Sequence, residues 1–399
     1  MSRRIKVLYL SYEGMTDPLG QSQVLSYMSG MSPDYEVTII SCEKRDRYQK
    51  QSAEIKQICE QAGINWRPFF FSTSPPGLAT IYNIWKMYRK ARQVCSSGDI
   101  QIVHCRSYIT SLIGMKMKKK FNAKFIFDMR GFWIDEKIEA GYWKTSNFLY
   151  RTAIKYLRKK ERQFYNQADA IVSLTHAAGE AIKKMHPVAA PKLFIVPTCV
   201  NLGVFKPFDD LIRKTVRKEM GITEDSFVLL YSGGYGANYD IGFLKTVFFA
   251  IKKIKENVSI LVLSKDGVTG LEKDDLNNYV FNISLPYNKV GNYLMAGDIG
   301  IINYVNHFSV SGRSPTKLAE YWASGLPAIA PGGIGDVDYL FTTYKDSGII
   351  YNPDSLEKDI HAILPSDKQK LRGYAEDYFS LAKGIKSYKS LYNYLIEKK

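Results

Sequence analysis

Apolar runs of strand length alternate with amphipathic stretches along nearly the whole chain. Most runs are close to continuously hydrophobic, as expected of strands buried on both faces of a parallel sheet. Predicted strands lie at residues 6–11, 37–41, 65–71, 102–105, 125–128, 169–175, 193–201, 227–231, 279–282, 299–303 and 326–330. The stretches between several of these runs repeat their apolar positions every three to four residues, which indicates helices. Strands that alternate with helices in this way predict an α/β chain.

Two of the predicted helices carry a clear apolar stripe. The first covers residues 81–95, and the sequence predicts that its stripe faces a core. That stripe consists of Ile81, Ile84, Trp85, Tyr88 and Cys95. The second covers residues 386–399 at the end of the chain. Its stripe consists of Tyr388, Leu391, Tyr392 and Leu395.

Length and composition predict a two-domain protein of the cytoplasm. A chain of 399 residues, 45% of them hydrophobic, suits two domains of about 200 residues each. No run of about 18 uncharged apolar residues occurs, and no secretory signal is recognisable, so we expect neither a spanning helix nor export. The five cysteines show no CxxC spacing and the five histidines are scattered. We therefore expect reduced thiols and no metal site.

The positive charge is concentrated in the first half of the chain. Residues 1–200 contain 31 Lys and Arg against 16 Asp and Glu, whereas residues 201–399 contain 24 against 23. A basic half suits an anionic surface, such as phospholipid, a lipid-pyrophosphate substrate or nucleic acid, and it also suits simple solubility. Basic helices beside aromatic residues, as at residues 81–95 and 151–162, favour a membrane surface and ordinary solvated helix faces about equally.

The most informative stretch is Ser309–Gly333, which reads SVSGRSPTKLAEYWASGLPAIAPGG. Small polar residues and Arg313 lead to Pro315, which suits the first turn of a helix. Gly325 ends that helix, and a strand follows. At the carboxyl edge of a parallel sheet, the free amides of such a helix start form a phosphate site. Glu320 lies about one turn inside the helix and is placed to reach an adjacent sugar hydroxyl.

This run resembles the retaining nucleotide-sugar glycosyltransferases of the GT-B fold, in the large "group 1" family (family 4). The resemblance rests mainly on SPTKLAEYWASGLPAIA. It is supported by residues 169–175, which are similar to the family pattern ADxIVxLT, and by residues 193–201, which are similar to a strand and linker ending IPNGVD. Family members usually carry a second Glu eight residues before the one at Glu320. Gly312 occupies that position here.

The resemblance implies two Rossmann-like, doubly wound domains that face each other across a cleft. The first would cover residues 1–204 and bind the acceptor. The second would cover residues 205–385 and bind the nucleotide sugar. The helix at 386–399 would cross back to the first domain. The resemblance also implies retention of the anomeric configuration and no requirement for a metal or another cofactor.

The predicted donor site combines the helix start with glycine-rich loops. The strand at 227–231 ends in a loop that can cradle a diphosphate, and Gly20 lies in the first βα loop, where the backbone can approach a ligand closely. The predicted donor-binding residues are Gly20, Ser232, Gly233, Gly234, Lys265, Arg313, Ser314, Pro315, Thr316, Lys317, Leu318 and Glu320. The family usually places an Arg and a Lys after this strand, and neither is present here. Arg313, Arg130 and Lys265 are the alternatives for the missing charge.

The acceptor side is predicted where the strand at 125–128 ends. Charged residues at the carboxyl end of a strand indicate a site and not a core. Asp128, Arg130 and Glu136 are the catalytic candidates, with Asp135 close by. A carboxylate could accept the nucleophile's proton, and Arg130 could offset phosphate charge. A structural Arg–carboxylate network is the alternative.

Taken together, the sequence predicts a glycosyltransferase of the hexosyltransferase class. It would move a sugar from a nucleotide diphosphate to a glycan or lipid-pyrophosphate-linked acceptor at the inner membrane surface, as in polysaccharide biosynthesis. Three alternatives stay open: a nucleotide-sugar epimerase of GT-B fold, a non-catalytic scaffold, and a nucleic-acid-binding protein, although no nucleic-acid-binding motif occurs.

Overall fold

The structure is a computed structural model that describes residues 4–75, 77–234, 236–264 and 276–397. Lys265 therefore lies outside the described residues. The chain divides into two compact units. Unit 1 runs to Ile138 and continues with Tyr142–Pro197 and the segment from Leu381, whereas unit 2 consists of Glu139–Gly141 and Thr198–Ser380.

Unit 1 is a parallel α/β layer structure. Its strands are β1 (Ile5–Ser11), β2 (Tyr35–Glu43), β3 (Asn65–Trp66), β4 (Phe69–Phe70), β5 (Ile102–Arg106), β6 (Lys124–Asp128), β7 (Ala170–Ser173) and β8 (Leu193–Ile195). Its helices are α1 (Pro18–Gly20), α2 (Ser26–Met31), α3 (Arg45–Gln61), α4 (Leu78–Gly98), α5 (Ser107–Phe121), α6 (Trp133–Glu139), α7 (Phe148–Gln167) and α8 (His176–Met185). The strand order is β3-β2-β1-β5-β6-β7-β8, with β4 paired to β2. Right-handed crossovers place α4, α5 and α7 on one face of this sheet.

Unit 2 repeats the architecture with a smaller parallel sheet. Its strands are β9 (Phe227–Ser232), β10 (Val258–Leu263), β11 (Val280–Ile283), β12 (Ile299–Ile301), β13 (Ala328–Ala330) and β14 (Gly348–Ile350). Its helices are α9 (Asp210–Met220), α10 (Ile241–Lys252), α11 (Tyr287–Leu294), α12 (Thr316–Ala323), α13 (Val337–Thr343), α14 (Leu356–Ile363) and α15 (Lys368–Phe379). The strand order is β11-β10-β9-β12-β13-β14. The chain adds β10 and β11 on one side of β9 and then adds β12, β13 and β14 on its other side, so the order switches between β9 and β12. Ligands of open parallel sheets bind at such a switch point.

The last helix, α16 (Leu381–Glu397), belongs to unit 1. Its predicted stripe of Tyr388, Leu391, Tyr392 and Leu395 is buried. The prediction of two parallel-sheet α/β domains is thus confirmed.

Two predictions about local structure are wrong. The single strand predicted at 65–71 is two short strands, β3 and β4. In α4, Ile81 is 64% exposed and Trp85 is 47% exposed, so the first part of the predicted stripe does not face the core, whereas Cys95 is buried and Tyr88 packs against the core. The buried side of α4 is instead formed mainly by Ala79, Asn83, Met87, Ala91 and Val94.

Candidate functional site

One buried tyrosine of α12, Tyr321, holds this helix against β9 and β12. The Tyr321 hydroxyl accepts the Ser232 N–H at 3.1 Å and donates to the Ile301 carbonyl at 3.2 Å. Its ring lies against Gly300, where an added Cβ would come within 2.5 Å of it. Tyr321 therefore fixes α12 against these two strands. The predicted diphosphate loop follows β9, so the loop and the predicted helix start both belong to this part of unit 2.

The ends of α12 follow the sequence prediction closely. Pro315 is the residue that precedes the first helical turn, with φ −69°. Gly325 ends the helix with φ +73°, and the Gly325 and Leu326 amides bond back to the carbonyls of Trp322 and Tyr321. Glycine is favoured at such a left-handed helix end.

The helix start leaves backbone donors free. No side chain caps α12, and the amides of Thr316 and Lys317 have no hydrogen-bond partner among the described residues. The Leu318 amide, by contrast, donates to the Pro315 carbonyl, and the Leu318 side chain is in the core. The Ser314 hydroxyl accepts the Thr198 N–H at 3.1 Å. Two unpaired amides at the positive end of a helix dipole form an anion site.

The loop after β9 offers a second backbone surface. Ser232 is buried, and the Gly233 amide donates to the Leu263 carbonyl at 2.9 Å. Gly233 has φ +121°, a conformation that favours glycine. An added Cβ at Gly234 would meet no heavy atom within 4 Å, so that position is open. The backbone of Gly233 and Gly234 is therefore not covered by side chains of its own, and it lies beside the start of α12.

Glu320 lies on the same helix as a nearly buried carboxylate. It is 8% exposed, and Oε1 accepts the Tyr287 hydroxyl at 3.4 Å. Burial raises the pKa of Glu320 to about 7, although Tyr287 and Lys317 favour the ionised form. A carboxylate with unused acceptor capacity can bind the hydroxyl pair of a sugar.

Gly20 has a packing role of its own in the first βα loop of unit 1. An added Cβ there would come within 1.9 Å of the Gly14 carbonyl oxygen. The loop is further fixed by Glu43, whose carboxylate accepts the Met15 and Thr16 amides at 2.7 and 3.1 Å. Close backbone packing therefore accounts for Gly20, and its contact with a donor stays a prediction.

Asp128 is the centre of a buried polar cluster in unit 1. Asp128 and His104 are both 0% exposed, and Asp128 Oδ2 lies 3.4 Å from His104 Nε2 and 3.2 Å from the Tyr388 hydroxyl. His104 Nδ1 lies 2.8 Å from the Tyr392 hydroxyl. Arg130 approaches Asp128 Oδ1 at 3.9 Å and has φ +56°, which is uncommon for a residue other than glycine.

The cluster keeps Asp128 ionised and His104 neutral. Burial alone would raise the pKa of Asp128, but Arg130, His104 and Arg106 outweigh it and hold that pKa below its ordinary value. Burial lowers the pKa of His104 despite the neighbouring carboxylate. A neutral His104 that donates from Nε2 to Asp128 accepts the Tyr392 O–H at Nδ1. Asp128 is 0% exposed, and its role as a proton acceptor stays a prediction.

The other acidic candidates, Asp135 and Glu136, lie on α6. Glu136 is partly exposed on α6, and Asp135 pairs with Arg158 of α7. The sequence did not identify His104, Tyr388 or Tyr392 as site residues. One signal was present for His104, since it stands in a predicted strand next to the strand that ends at Asp128.

Within the described part of the chain, no group of three or more His, Cys, Asp or Glu side chains is arranged to hold a metal ion. All five cysteines are buried, and none of them forms a disulfide. Among the helices that the structure describes, none combines the length and apolarity needed to cross a bilayer.

Comparison with known proteins identifies the relatives of this chain. Residues 28–204 match the model of Glycosyltransferase Family 4. A segment of 73 residues, 18% of this chain, is 34% identical to a D-inositol 3-phosphate glycosyltransferase from Nocardioides sp.. That segment spans only 15% of the relative's length.

Solved structures share the architecture over the full length. Sucrose-phosphate synthase from Thermosynechococcus elongatus aligns with a TM-score of 0.69 at 13% identity, covering 99% of this chain and 100% of its own. Anabaena HepE in complex with UDP-glucose aligns with a TM-score of 0.68 at 12% identity, covering 98% and 100%. WaaG, a glycosyltransferase involved in lipopolysaccharide biosynthesis, aligns with a TM-score of 0.63 at 14% identity, covering 95% and 98%. These alignments show the GT-B fold, and the family match over residues 28–204 supports the resemblance to glycosyltransferases of the group 1 type.

Proposed function

We propose that this chain, whose residues 28–204 match the model of Glycosyltransferase Family 4, transfers a sugar from a nucleotide-diphosphate donor to a glycan or lipid-linked acceptor. The observation that carries the proposal is the start of α12. There, the free amides of Thr316 and Lys317 lie on the same helix as Glu320. Amides bind the diphosphate, and the carboxylate binds the adjacent ribose.

Catalysis in this proposal is mainly electrostatic. Charge builds on the diphosphate as the glycosidic bond breaks, and fixed amide dipoles stabilise it without reorganisation. We infer retention of the anomeric configuration, with same-face attack assisted by the leaving phosphate, as the family resemblance implies. In unit 1, Asp128 orients Arg130, which would offset phosphate charge on an acceptor.

A panel of nucleotide sugars tests the donor assignment. UDP-glucose, UDP-N-acetylglucosamine, GDP-mannose and ADP-glucose are each added in a thermal-unfolding experiment. A bound donor at ~100 times its dissociation constant should stabilise the fold by ~2.7 kcal/mol. If no nucleotide sugar shifts the unfolding temperature, the proposal is wrong. Conversion of the bound sugar without any acceptor would instead indicate an epimerase.

We propose that the protein binds to an anionic membrane surface and acts there. The first turns of α4 and α7 expose large apolar side chains, although both helices pack in the core of unit 1 through their other faces. These exposed residues are Leu78 (65%), Ile81 (64%), Tyr82 (50%) and Trp85 (47%) on α4, and Phe148 (68%) and Leu149 (75%) on α7. Both helices precede parallel strands, so both begin at the carboxyl edge of the sheet.

Basic side chains accompany these apolar faces. The Arg89 guanidinium lies 4.9 Å from the Trp85 ring centre, and the Lys86 ammonium lies 4.6 Å from that of Tyr82. Arg151 lies 5.8 Å from the Phe148 ring. Aromatic rings flanked by Lys and Arg suit the interface of an anionic bilayer, where each basic residue contributes about 1 kcal/mol. An acceptor carried by a membrane lipid would be met there.

Vesicle binding measures this surface directly. The double variant Ile81→Ser, Trp85→Ser should bind phosphatidylglycerol vesicles at least tenfold more weakly in a sedimentation assay, because two side chains no longer leave water. Leu211→Ser is the matched control, since Leu211 is 74% exposed in unit 2. Equal binding of the protein to phosphatidylcholine vesicles, or an unaffected double variant, would contradict the assignment.

A further inference from the structure

Lys317 is a buried lysine whose ammonium has no hydrogen-bond partner. Its residue is 6% exposed, and among the described residues nothing bonds to Nζ. It forms no ion pair with Glu320 one turn later. An unpaired charge in such a place is costly, and proteins rarely retain one without a use. Burial lowers the pKa of Lys317 to about 7, with Arg313 acting in the same direction and Glu320 opposing it.

Three tyrosine rings enclose this ammonium. The ring centres of Tyr231, Tyr239 and Tyr304 lie 4.0, 4.2 and 5.8 Å from Nζ. Tyr239 and Tyr304 stack on each other, with ring centres 5.1 Å apart. Ring faces attract a cation but accept no conventional hydrogen bond from it. The cage therefore holds the ammonium in position and leaves its donors unused.

The Lys317 side chain lies close to the loop after β9. An added Cβ at Gly233 would lie 2.8 Å from Lys317 Cε and 3.5 Å from Nζ. The Tyr231 hydroxyl donates to the Gly234 carbonyl at 2.5 Å, which ties the cage to the loop. Only a glycine at 233 leaves the lysine this close to the backbone surface on which a diphosphate would rest.

The sequence offered three other residues as the source of this charge. The Arg313 guanidinium carbon lies 5.1 Å from the ring centre of Tyr304, the cage residue farthest from the Lys317 ammonium. Arg130 belongs to unit 1, where it approaches Asp128. Lys265 lies outside the described residues. Lys317 instead combines proximity to Gly233 with an amide at the helix start.

We propose that the Lys317 side chain, held without a partner in the cage of Tyr231, Tyr239 and Tyr304, is the cation that pairs with the donor diphosphate, and that donor binding takes up a proton at this lysine. This inference rests on the proposed function. The sequence predicted Lys317 as a donor-binding residue, and the inference adds that its side chain supplies the missing charge and makes donor affinity depend on pH.

The sign of the pH dependence follows from the two states of the lysine. In the free protein about half of the lysine is neutral near pH 7, whereas a nearby anion favours the ammonium and raises the pKa in the complex. Affinity should therefore weaken as pH rises above 7, by up to about tenfold per unit, until the pKa of the complex is reached. The other groups that face this ammonium are Glu320, Arg313 and the three tyrosines.

Isothermal titration with a nucleotide sugar tests the proposal. UDP-glucose is the first probe, replaced by whichever panel member binds best. A nucleotide sugar lacks a terminal phosphate monoester, which itself titrates near pH 6. Titrations at pH 7.5 in two buffers of different ionisation heat should show uptake of roughly 0.5–1 proton. No uptake between pH 7 and 8.5 would overturn the proposal without any variant.

Variants separate a binding role from a structural one. Lys317→Met should bind the donor at least tenfold more weakly at pH 6.5, approach the wild type at high pH, and take up no proton. Lys317→Arg keeps the positive charge at every pH of the experiment, so the part of the pH dependence of donor affinity that comes from Lys317 should disappear. Glu320 still titrates in both the Lys317→Met and the Lys317→Arg protein. Lys358→Met, at an exposed lysine of α14, is the control. A Lys317→Met protein with wild-type affinity and pH profile would overturn the proposal. If no panel member binds the wild type, the proposed function itself fails.

Discussion

Replacing Glu320 with alanine is expected to weaken nucleotide-sugar binding by roughly 10- to 100-fold without loss of stability. A hydrogen bond to a charged group contributes about 1.5–3 kcal/mol, and each 1.4 kcal/mol is a factor of ten. The effect should be similar for every donor that binds, because the ribose is common to all of them. Glu320→Gln keeps one acceptor and should fall between the two proteins.

The stability of this variant distinguishes a binding residue from a structural one. Because burial raises the pKa of Glu320 to about 7, its ionisation destabilises the folded state as pH rises from the ordinary carboxyl range through 7. Removing the carboxyl should therefore leave stability unchanged or higher at pH 8. The Tyr287 hydroxyl loses its hydrogen bond to Glu320, but Tyr287 is 46% exposed, so water can accept that hydrogen bond instead.

Calorimetric titration and thermal unfolding, each at pH 8, measure the two effects. Glu224→Ala is the matched control, since it removes an exposed carboxylate from the same unit. Unchanged donor affinity in Glu320→Ala would mean that the ribose has been placed wrongly. A large loss of stability would mean that Glu320 is part of the scaffold.

Replacing Asp128 with alanine is expected to destabilise unit 1 by about 3–5 kcal/mol, the usual cost of removing one partner from a buried charged network. Arg130 would lose its counter-charge, and His104 and Tyr388 would each lose a hydrogen-bond partner. Because the pKa of Asp128 is held below its ordinary value, its contribution is present above about pH 4 and is lost as pH falls.

Urea unfolding at pH 7 measures this loss, and hydrogen exchange at β5 and β6 localises it. Glu180→Ala is the control, because it removes a surface carboxylate that pairs with Lys183 at 2.7 Å and should leave the urea midpoint nearly unchanged. If Asp128→Ala unfolds at the same urea concentration as the control, the buried cluster is not what holds β5, β6 and α16 together.

The elements of the fold were largely predictable because buried parallel strands are apolar along their length. The ends of α12 were also predictable, since Pro315 and Gly325 act through their own backbone preferences. The orientation of α4 was not. Its buried side uses Asn83, which bonds to both the amide and the carbonyl of Ser72 at 3.1 and 2.8 Å, and small residues such as Ala91. Apolar spacing counts hydrophobic residues and says nothing about which neighbours a helix has.

The arrangement of the site was predictable only in part. The helix start and Glu320 belong to one local motif, so a single stretch of sequence identifies them. The Asp128 cluster joins β6 to Tyr388, from the opposite end of the chain. The cage around Lys317 likewise combines Tyr231 and Tyr239, on the two sides of the loop after β9, with Tyr304, which follows β12. Contacts between residues this far apart in sequence leave no trace in spacing or periodicity.

The most direct test of donor binding is a crystal structure of the protein with the nucleotide sugar that binds best. We expect diphosphate oxygens within about 3.2 Å of the Thr316 and Lys317 amides, and the ribose hydroxyls on Glu320. A donor bound elsewhere, with its diphosphate remote from the start of α12, would contradict the account.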